Sequence, residues 1–495
     1  MLAFRAAAVL ERRSGPGPAA RFLRTAAAVG GRDAVVLQAL AAEATLRGGA
    51  VPHGLPALRT RLAAAADRAL QAGDRVTLTD LLIRLAAVTF HRVEHLDGPG
   101  TPLAADPAAF LAALRTSPAW RQLVAPGPAP HRARPGKAPL RAGPGDRPVR
   151  VTVVVDADRR FLDPLLPHLG PDVVIDVVSL AAWDGPALPL TPGEQVRARL
   201  EAGGPDAPWA AELRRRLEGA DVVWVEWCQR AAVLVGCLRL QGPAVVVRLH
   251  SFEAFTVFPH LLDPAQVDAL VTVSPALAGL VSAVVPALAD RVRVQPNALD
   301  PRPFHRPKGP GAATTLGLLG WGSPAKDACW ALDVLAELRR VDPRWRLRLI
   351  GPAPDRRTAG SRRYADAVLT RADRPDVRGH VDTPGPTDDV PAALAEVGAL
   401  VSSSTRESFH LAVGEAVASG ARVAVRDWPV LAAYGGPRGV WPQEWIASTP
   451  AQAAAILLDT EPQAAADRSP EVVALAYRDL LVELASLAGR PRPDR

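Results

Sequence analysis

Two patterns of apolar positions divide the chain near residue 148. Over residues 20–123, Ala, Leu and Arg dominate, and apolar side chains recur at intervals of three and four residues. That spacing places them on one face of an α-helix. We therefore predict an N-terminal all-α bundle over residues 1–123. Asp80 and Asp106 each precede an apolar periodic run and are predicted to cap helices.

Beyond residue 148, short β-branched runs alternate with helical segments. Continuous apolar runs between helices are typical of parallel strands covered on both faces. Two sets of runs, separated near Pro301–Pro310, predict two Rossmann-like, doubly wound α/β domains. The predicted strands are Val149–Val155, Val173–Ser179, Asp221–Val225, Ala244–Leu249, Ala269–Val273, Val292–Pro296, Thr315–Gly320, Leu347–Ile350, Val377–His380, Ala399–Ser402 and Arg422–Val425.

The domain boundaries follow from the same pattern. Residues 124–148 hold seven prolines and four glycines, so they cannot form a core and are predicted to be a linker. The first Rossmann-like domain is then expected over 149–300 and the second over 301–455. Helices over 456–495 are expected to cross back to the first Rossmann-like domain.

Charge is unevenly distributed along the 495 residues, whose formal net charge is +7. Residues 1–150 contain 21 basic and 10 acidic side chains, a net +11, and the remainder carries −4. A uniformly basic nucleic-acid binder is therefore excluded. The basic linker is expected to be a solvated tether, with contact to an anionic lipid or polymer as the alternative. The basic N-terminal region as a whole is a candidate contact for a partner or for a membrane surface.

Three cysteines cannot build a disulfide framework, and no CxxC pair indicates structural zinc. No apolar run reaches the ~18 residues that a membrane-spanning helix needs. The first residues lack the apolar core and cleavage site of a signal peptide. We expect a cytoplasmic protein, with peripheral attachment at the inner face of the membrane as the alternative.

The segment Ala399–Val425 contains the most informative chemistry. A predicted strand ends at Ser402, and a helix is predicted to begin near Phe409. The first N–H groups of that helix have no partners within it and can hold an anion such as a diphosphate. Glu407 precedes the helix and Glu415 lies inside it, roughly 80° apart around the axis. Carboxylates accept hydrogen bonds from hydroxyls, so the pair suits a sugar and a ribose on either side of the anion.

This segment resembles a known family. The E-x7-E pattern of Glu407 and Glu415, followed by AVASGARVAV, is similar to the donor-site motif of family 4 retaining glycosyltransferases of GT-B fold. Glu-Ser-Phe at 407–409 also fits, whereas His410 stands where the family usually has glycine. The resemblance covers about residues 149–455.

The resemblance implies roles for individual residues. Lys326 matches the lysine that meets the donor diphosphate, although Trp321 stands where the family usually has arginine. Lys326 is one of only three lysines among 58 basic residues, and an ordinary surface lysine is the alternative. Glu407 would bind the donor sugar and Glu415 the ribose. The remaining donor-binding candidates are Ser404, Phe409, His410 and Leu411.

In the first Rossmann-like domain, His250 directly follows a predicted strand. In the resembling enzymes a histidine here lines the cleft beside the transferred sugar, which makes His250 a catalytic candidate together with Glu407 and Lys326. Glu226 and Glu253 are weaker candidates for the acceptor side. The alternatives are a capping role for the histidine and a solvated strand-end carboxylate for Glu226.

The resemblance implies transfer of a sugar from a nucleoside-diphosphate sugar to a glycan, lipid-linked or small-molecule acceptor, without a cofactor or an obligatory metal. A GT-B sugar-nucleotide epimerase and a non-catalytic scaffold of polysaccharide assembly are the alternatives. Separately, His91, Glu94 and His95 match the H-x-x-E-H zinc pattern. Since nothing else indicates a peptidase, we expect them to be surface residues of a helix.

Overall fold

The computed structural model describes residues 2–30, 33–98, 100–127, 147–201, 207–459 and 466–487. Most of the predicted linker, residues 128–146, lies outside the described residues. In the part that is described, no helix is long and apolar enough to cross a bilayer.

The N-terminal region is entirely helical, as predicted. Helices α2 and α3 pack against each other, and so do α4 and α5. The inward faces of α4 and α5 supply buried leucines such as Leu62 and Leu82. The helices are α1 (Leu2–Ser14), α2 (Pro16–Ala28), α3 (Ala34–Arg47), α4 (Leu55–Gln71), α5 (Arg75–Thr89), α6 (Arg92–His95), α7 (Pro102–Ala105), α8 (Pro107–Phe110), α9 (Ala112–Thr116) and α10 (Pro118–Val124).

One of the two predicted helix caps is confirmed. The Asp106 carboxylate accepts the Ala109 N–H at 2.9 Å at the start of α8. The prediction for Asp80 is wrong, because α5 begins earlier and Asp74 caps it by accepting the Thr77 N–H at 3.0 Å. Asp80 lies within α5, one turn before Arg84, to which it is paired at 3.4 Å.

The first sheet contains six parallel strands in the order β2-β1-β3-β4-β5-β6, so the strand order reverses between β1 and β3. The strands are β1 (Val149–Val155), β2 (Val173–Ser179), β3 (Val222–Glu226), β4 (Ala244–Leu249), β5 (Ala269–Thr272) and β6 (Val292–Val294). Its helices are α11 (Pro192–Leu200), α12 (Pro208–Leu217), α13 (Arg230–Cys237), α14 (Phe258–Leu261) and α15 (Pro275–Val284).

The second sheet also has six parallel strands, in the order β12-β11-β10-β7-β8-β9, with its reversal between β7 and β10. The strands are β7 (Thr315–Leu319), β8 (Arg346–Ile350), β9 (Val381–Gly385), β10 (Ala399–Ser402), β11 (Arg422–Arg426) and β12 (Ile446–Ala447). Its helices are α16 (Ala328–Val341), α17 (Ala359–Ala372), α18 (Val390–Ala395), α19 (Leu411–Ala418) and α20 (Pro450–Asp459); the last helix, α21 (Pro470–Leu487), returns to the first sheet. Two such sheets confirm the predicted fold class, a GT-B arrangement after an all-α region.

The sequence placed one strand incorrectly and missed another. Residues 377–380 form a turn instead of a strand, because Gly379 adopts a positive φ of 78° that extended chains do not use. The edge strand β9 begins directly after that turn. The missed strand, β12, has only two residues, too few for an alternating pattern to be visible.

Helix α21 packs onto the first sheet, and the N-terminal bundle packs against helices α11, α14 and α15 of the same domain. Tyr477 of α21 stacks on Trp224 of β3 with ring centroids 5.0 Å apart and 4° between the planes. The bundle shares one continuous apolar core with the other side of this domain, in which Trp120 of α10 and Leu277 of α15 are both members. Arg115 of the bundle also donates to the Ala283 carbonyl at 2.6 Å. The first domain is therefore covered by chain segments from both ends of the sequence.

Replacing Tyr477 tests the packing of α21. We expect Tyr477→Ala to lower the free energy of unfolding by about 3 kcal/mol, since a buried aromatic ring leaves a cavity. Leu475→Ala is the control, because that side chain is on the same helix but 47% exposed. Its effect should stay within about 0.5 kcal/mol. Denaturant unfolding followed by tryptophan fluorescence measures both, and equal losses would contradict the packing.

Candidate functional site

The candidate site lies where the strand order of the second sheet reverses. The loops after β7 and β10 start at the carboxyl ends of adjacent strands and run in opposite directions, which leaves a crevice between them. Doubly wound sheets bind ligands in such a crevice. Hydrogen bonds tie the loops together. The Ser403 hydroxyl donates to the Lys326 carbonyl at 2.5 Å, and the Thr405 N–H donates to the Ala325 carbonyl at 2.7 Å.

Lys326 and Glu407 form an ion pair across these loops. The Lys326 ammonium donates to Glu407 Oε1 at 2.6 Å, and the Ser404 hydroxyl donates to the same oxygen at 2.8 Å. Burial by itself would raise the pKa of Glu407, but His410, Lys326 and Ser404 hold it at about 2. Glu407 is therefore a fixed carboxylate at neutral pH and can accept hydrogen bonds from hydroxyls.

His410 lies between Lys326 and Ser402. Lys326 Nζ is 3.3 Å from His410 Nε2, and Ser402 Oγ is 2.6 Å from Nδ1. A lysine ammonium can only donate, so Nε2 accepts and Nδ1 carries the proton. Burial lowers the pKa of His410 to about 4, with Glu407 opposing and Lys326 adding to the shift. The imidazole is therefore neutral at physiological pH.

The backbone at His410 explains the glycine that the resembling family has at this position. Its φ is 65°, in the left-handed region, and α19 begins at the next residue, Leu411. Glycine adopts this conformation without strain, and histidine is among the few other residues that are enriched there. The predicted helix near Phe409 therefore exists and starts two residues later.

Glu415 is the fifth residue of α19, eight residues after Glu407, and is half-buried. Burial raises its pKa to about 7, and the positive charge of Lys326 acts against that rise. Its charge therefore changes in the physiological pH range.

Phe409 and Trp321 point into the protein. Phe409 packs against Trp441, whose indole N–H donates to the Phe409 carbonyl at 3.1 Å. Trp321 is buried, and its indole N–H donates to the Gly351 carbonyl at 3.2 Å. Where the resembling family has an arginine for the diphosphate, this chain therefore has a core side chain.

Sequence reasoning missed Arg426, which braces the site. Its guanidinium donates to Asp327 Oδ2 at 2.6 Å and to the Ser403 carbonyl at 3.2 Å. Arg426 is the last residue of β11, which pairs with β10. A basic side chain at the end of that strand is the feature of the sequence that could have identified it. Asp327, with φ of 43°, accepts from Arg426 and caps α16 directly after Lys326.

The first-domain candidates form a separate group at the ends of β3 and β4. His250 is buried and packs against the rings of Phe161 and Trp227, at centroid distances of 4.6 and 4.2 Å. Burial lowers the pKa of His250 to about 3 and raises that of Glu253 to about 8. Glu253 Oε1 accepts the His250 backbone N–H at 3.2 Å.

Glu226 belongs to the same group and is fully buried. It pairs with Arg248 at 3.3 Å, and Arg248 also donates to Asn297 Oδ1 at 2.6 Å. Among the described residues, no hydrogen bond or ion pair connects this group to Lys326 or Glu407. The roles of Glu226 and Glu253 toward an acceptor stay predictions.

The H-x-x-E-H residues do not converge on a metal position. His95 is fully buried, not on the surface as expected, and bonds through Nδ1 to Thr101 Oγ1 at 2.7 Å and through Nε2 to the Thr89 carbonyl at 2.8 Å. Glu94 pairs with the buried Arg59. His91 caps α6. No group of three or more potential metal ligands occurs among the described residues.

Comparison with known proteins finds one family whose sequence model matches the second domain. Residues 313–454, which contain Lys326, Glu407 and Glu415, match the sequence model of the family "Glycosyl transferases group 1". This part of the chain is a glycosyltransferase domain. No curated protein matches the chain significantly in sequence.

Several solved structures are similar in fold. Anabaena Alr3699/HepE in complex with UDP and glucose is 16% identical, with 68% of this chain and 96% of that chain covered and a TM-score of 0.44. A UDP-forming α,α-trehalose-phosphate synthase from Burkholderia xenovorans is 13% identical, with 69% and 100% covered and a TM-score of 0.49. A mutant O-GlcNAc transferase from Thermobaculum terrenum is 17% identical, with 98% and 97% covered and a TM-score of 0.48. At these identities and scores, the similarity assigns no residue a role.

Removing the lysine tests the electrostatics of the cluster. We expect Lys326→Met to raise the pKa of Glu407 from about 2 to above the usual value of about 4.3, because burial then acts with less opposition. Carboxyl ¹³C titration of protein labelled on glutamate measures this shift. The pKa of Glu253, at about 8, is the internal control and should not move. A Glu407 pKa that stays near 2 would contradict the pairing.

Proposed function

We propose that the protein is a retaining glycosyltransferase of the family 4 type. It would move a sugar from a nucleoside-diphosphate sugar to a glycan, lipid-linked or small-molecule acceptor. The observation that carries the proposal is the cluster of Lys326, Glu407 and His410 where the second sheet reverses its strand order. That cluster places a cation, a permanent carboxylate and a helix N-terminus within one crevice of the glycosyltransferase domain.

The chemistry of transfer requires positive charge at the leaving group. The bond between the anomeric carbon and the diphosphate breaks, and its electron pair leaves with the nucleoside diphosphate. The acceptor hydroxyl forms the new bond to that carbon and gives up its proton to an oxygen of the departing diphosphate. The Lys326 ammonium and the first N–H groups of α19, from Leu411 onward, would stabilise the charge that grows on the diphosphate. We propose that they act in place of a metal ion.

The remaining polar groups would orient the donor. Glu407, charged at all physiological pH values, would accept hydrogen bonds from hydroxyls of the transferred sugar, with Ser404 keeping its carboxylate in place. Glu415 would accept from the ribose. The Nδ1–H of His410 is committed to Ser402, so its imidazole would orient Lys326 rather than donate to the donor.

The first domain would contribute His250 from across the cleft. Its imidazole is neutral, because burial holds the pKa at about 3, and a neutral ring can both donate to and accept from a sugar hydroxyl. The acceptor would approach from this domain, since the donor occupies the second. The aromatic rings of Phe161 and Trp227 hold the imidazole in one orientation.

A donor screen tests the assignment. Calorimetric titration with uridine and guanosine sugar nucleotides should reveal one specific donor, and Glu415→Ala should weaken its binding about tenfold, through loss of a hydrogen bond to a charged group. The exposed Glu444 of the same domain provides the control, because Glu444→Ala should bind normally. Absence of binding to every nucleotide sugar, or unchanged binding by Glu415→Ala, would contradict the donor site.

Turnover separates the alternative functions. Lys326→Ala should slow release of the nucleoside diphosphate by about 10²-fold or more, the effect of removing one preorganised charge-stabilising group. Conversion of the sugar nucleotide without any acceptor would instead identify an epimerase. Binding without turnover would identify a scaffold.

The raised pKa of Glu415 predicts a pH dependence of donor affinity. Only the deprotonated carboxylate accepts hydrogen bonds from both ribose hydroxyls. With a pKa of about 7, affinity should strengthen about tenfold as pH rises from about 6 to about 8. Titration with the intact sugar nucleotide measures this, since its diphosphate does not change charge in that range. Glu415→Gln should remove the pH dependence, and an equally steep profile in that variant would contradict the assignment.

A further inference from the structure

Arg406 connects the donor-site loop to the N-terminal bundle. It lies between Thr405 and Glu407 in the loop after β10, and its side chain is 7% exposed. The guanidinium donates to the Gly98 carbonyl at 3.2 Å and to the Leu96 carbonyl. Both acceptors follow α6, more than 300 residues earlier in the chain.

The same guanidinium reaches the first Rossmann-like domain. Its central carbon lies 5.8 Å from the centre of the Phe255 ring. Phe255 in turn stacks against His95 of α6, with 6.5 Å between ring centroids and 20° between planes. One side chain from the second domain therefore contacts the bundle and the first domain together.

The turn that supplies the accepting carbonyls follows the H-x-x-E-H segment, whose residues are anchored by hydrogen bonds and an ion pair. His95 is fixed by hydrogen bonds to Thr101 and to the Thr89 carbonyl. Arg92 pairs with Asp97, which lies between the two accepting residues, at 2.8 Å. The motif that resembles a zinc site thus positions the turn whose carbonyls accept hydrogen bonds from Arg406.

Arginine suits this position for a geometric reason. A planar guanidinium has several N–H groups at fixed angles and can donate to two carbonyls at once, whereas a lysine ammonium is a point donor on a flexible stem. A buried guanidinium without those partners would be costly. The loop at 405–407 is therefore held by contacts outside its own domain in addition to its hydrogen bonds to Ala325 and Lys326.

We propose that Arg406 is a positioning residue, through which the N-terminal bundle holds Glu407 in its contact with Lys326. The bundle is thereby part of the donor site's architecture, although it supplies none of the donor-binding side chains. This inference rests on the proposed function for its catalytic consequence, but the position of Glu407 can be measured without any substrate.

Arg406→Lys is the decisive variant, because it keeps the positive charge and removes the planar guanidinium that donates to two carbonyls at once. In the full-length protein labelled on glutamate, the ¹³C titration of Glu407 should show a pKa at least one unit above that of the wild type. Arg406→Gln should show the same or a larger rise. If Arg406→Lys titrates as the wild type does, charge alone is sufficient and the proposal is overturned.

Tyr434→Phe is the matched control. Tyr434 donates to the Ala104 carbonyl at 3.1 Å, so its loss removes another contact between the bundle and the second domain without touching Arg406. It should leave the Glu407 titration unchanged. An equal pKa rise in this variant would show a general loosening of the bundle and would overturn the specific role of Arg406.

Kinetics with the donor found in the screen provide the second measurement. Arg406→Lys should raise the KM for the donor about tenfold, which is the factor that 1.4 kcal/mol gives, and leave the KM for the acceptor unchanged. If the wild type binds no sugar nucleotide, the proposed function fails while the titration still decides the positioning role. If Arg406→Lys does not fold, Phe255→Leu removes the supporting ring and should raise the Glu407 pKa in the same direction; an unchanged pKa there would overturn the proposal.

Discussion

The ion pair between Lys326 and Glu407 joins the two halves of the second sheet. The sheet reverses its strand order between β7 and β10, so the loops after these strands must diverge and leave a crevice. A partly buried carboxylate in that crevice stays charged only with a partner, because desolvation by itself raises its pKa. The pair supplies that partner and keeps both loops at the N-terminus of α19.

The surroundings of the pair give two nearby carboxyl groups different pKa values. Glu407 has a cation and a hydroxyl beside it and stays ionised, with a pKa of about 2. Glu415 lies one turn into α19, where burial raises its pKa to about 7. Two carboxylates of one motif therefore have different properties, and the difference comes from their neighbours and not from their spacing.

Arginine dominates the basic residues of this chain, and several arginines act inside it. Arg406 donates to carbonyls after α6, Arg115 to the Ala283 carbonyl and Arg199 to the Ala125 carbonyl at 2.6 Å. Each contact joins the bundle or its C-terminal end to a Rossmann-like domain. Arginines from the bundle and from both Rossmann-like domains thus serve the junctions between domains.

The sequence by itself determined the fold class and the main members of the candidate site. Short β-branched runs and apolar residues at helical spacing are local patterns. They correctly placed ten of the eleven predicted strands and the all-α region. Glu407, Glu415 and Lys326 were recognisable because a strand, a loop and a helix start occur in order around them. The error at residues 377–380 arose because a positive φ at Gly379 cannot be read from apolar pattern alone. Only the tertiary structure decided that Arg406 contacts Leu96 and Gly98, that Glu226 is paired with Arg248, and that Trp321 is a core residue. These contacts join residues far apart in the chain, and which partners meet depends on how whole domains pack, a property that no local pattern encodes.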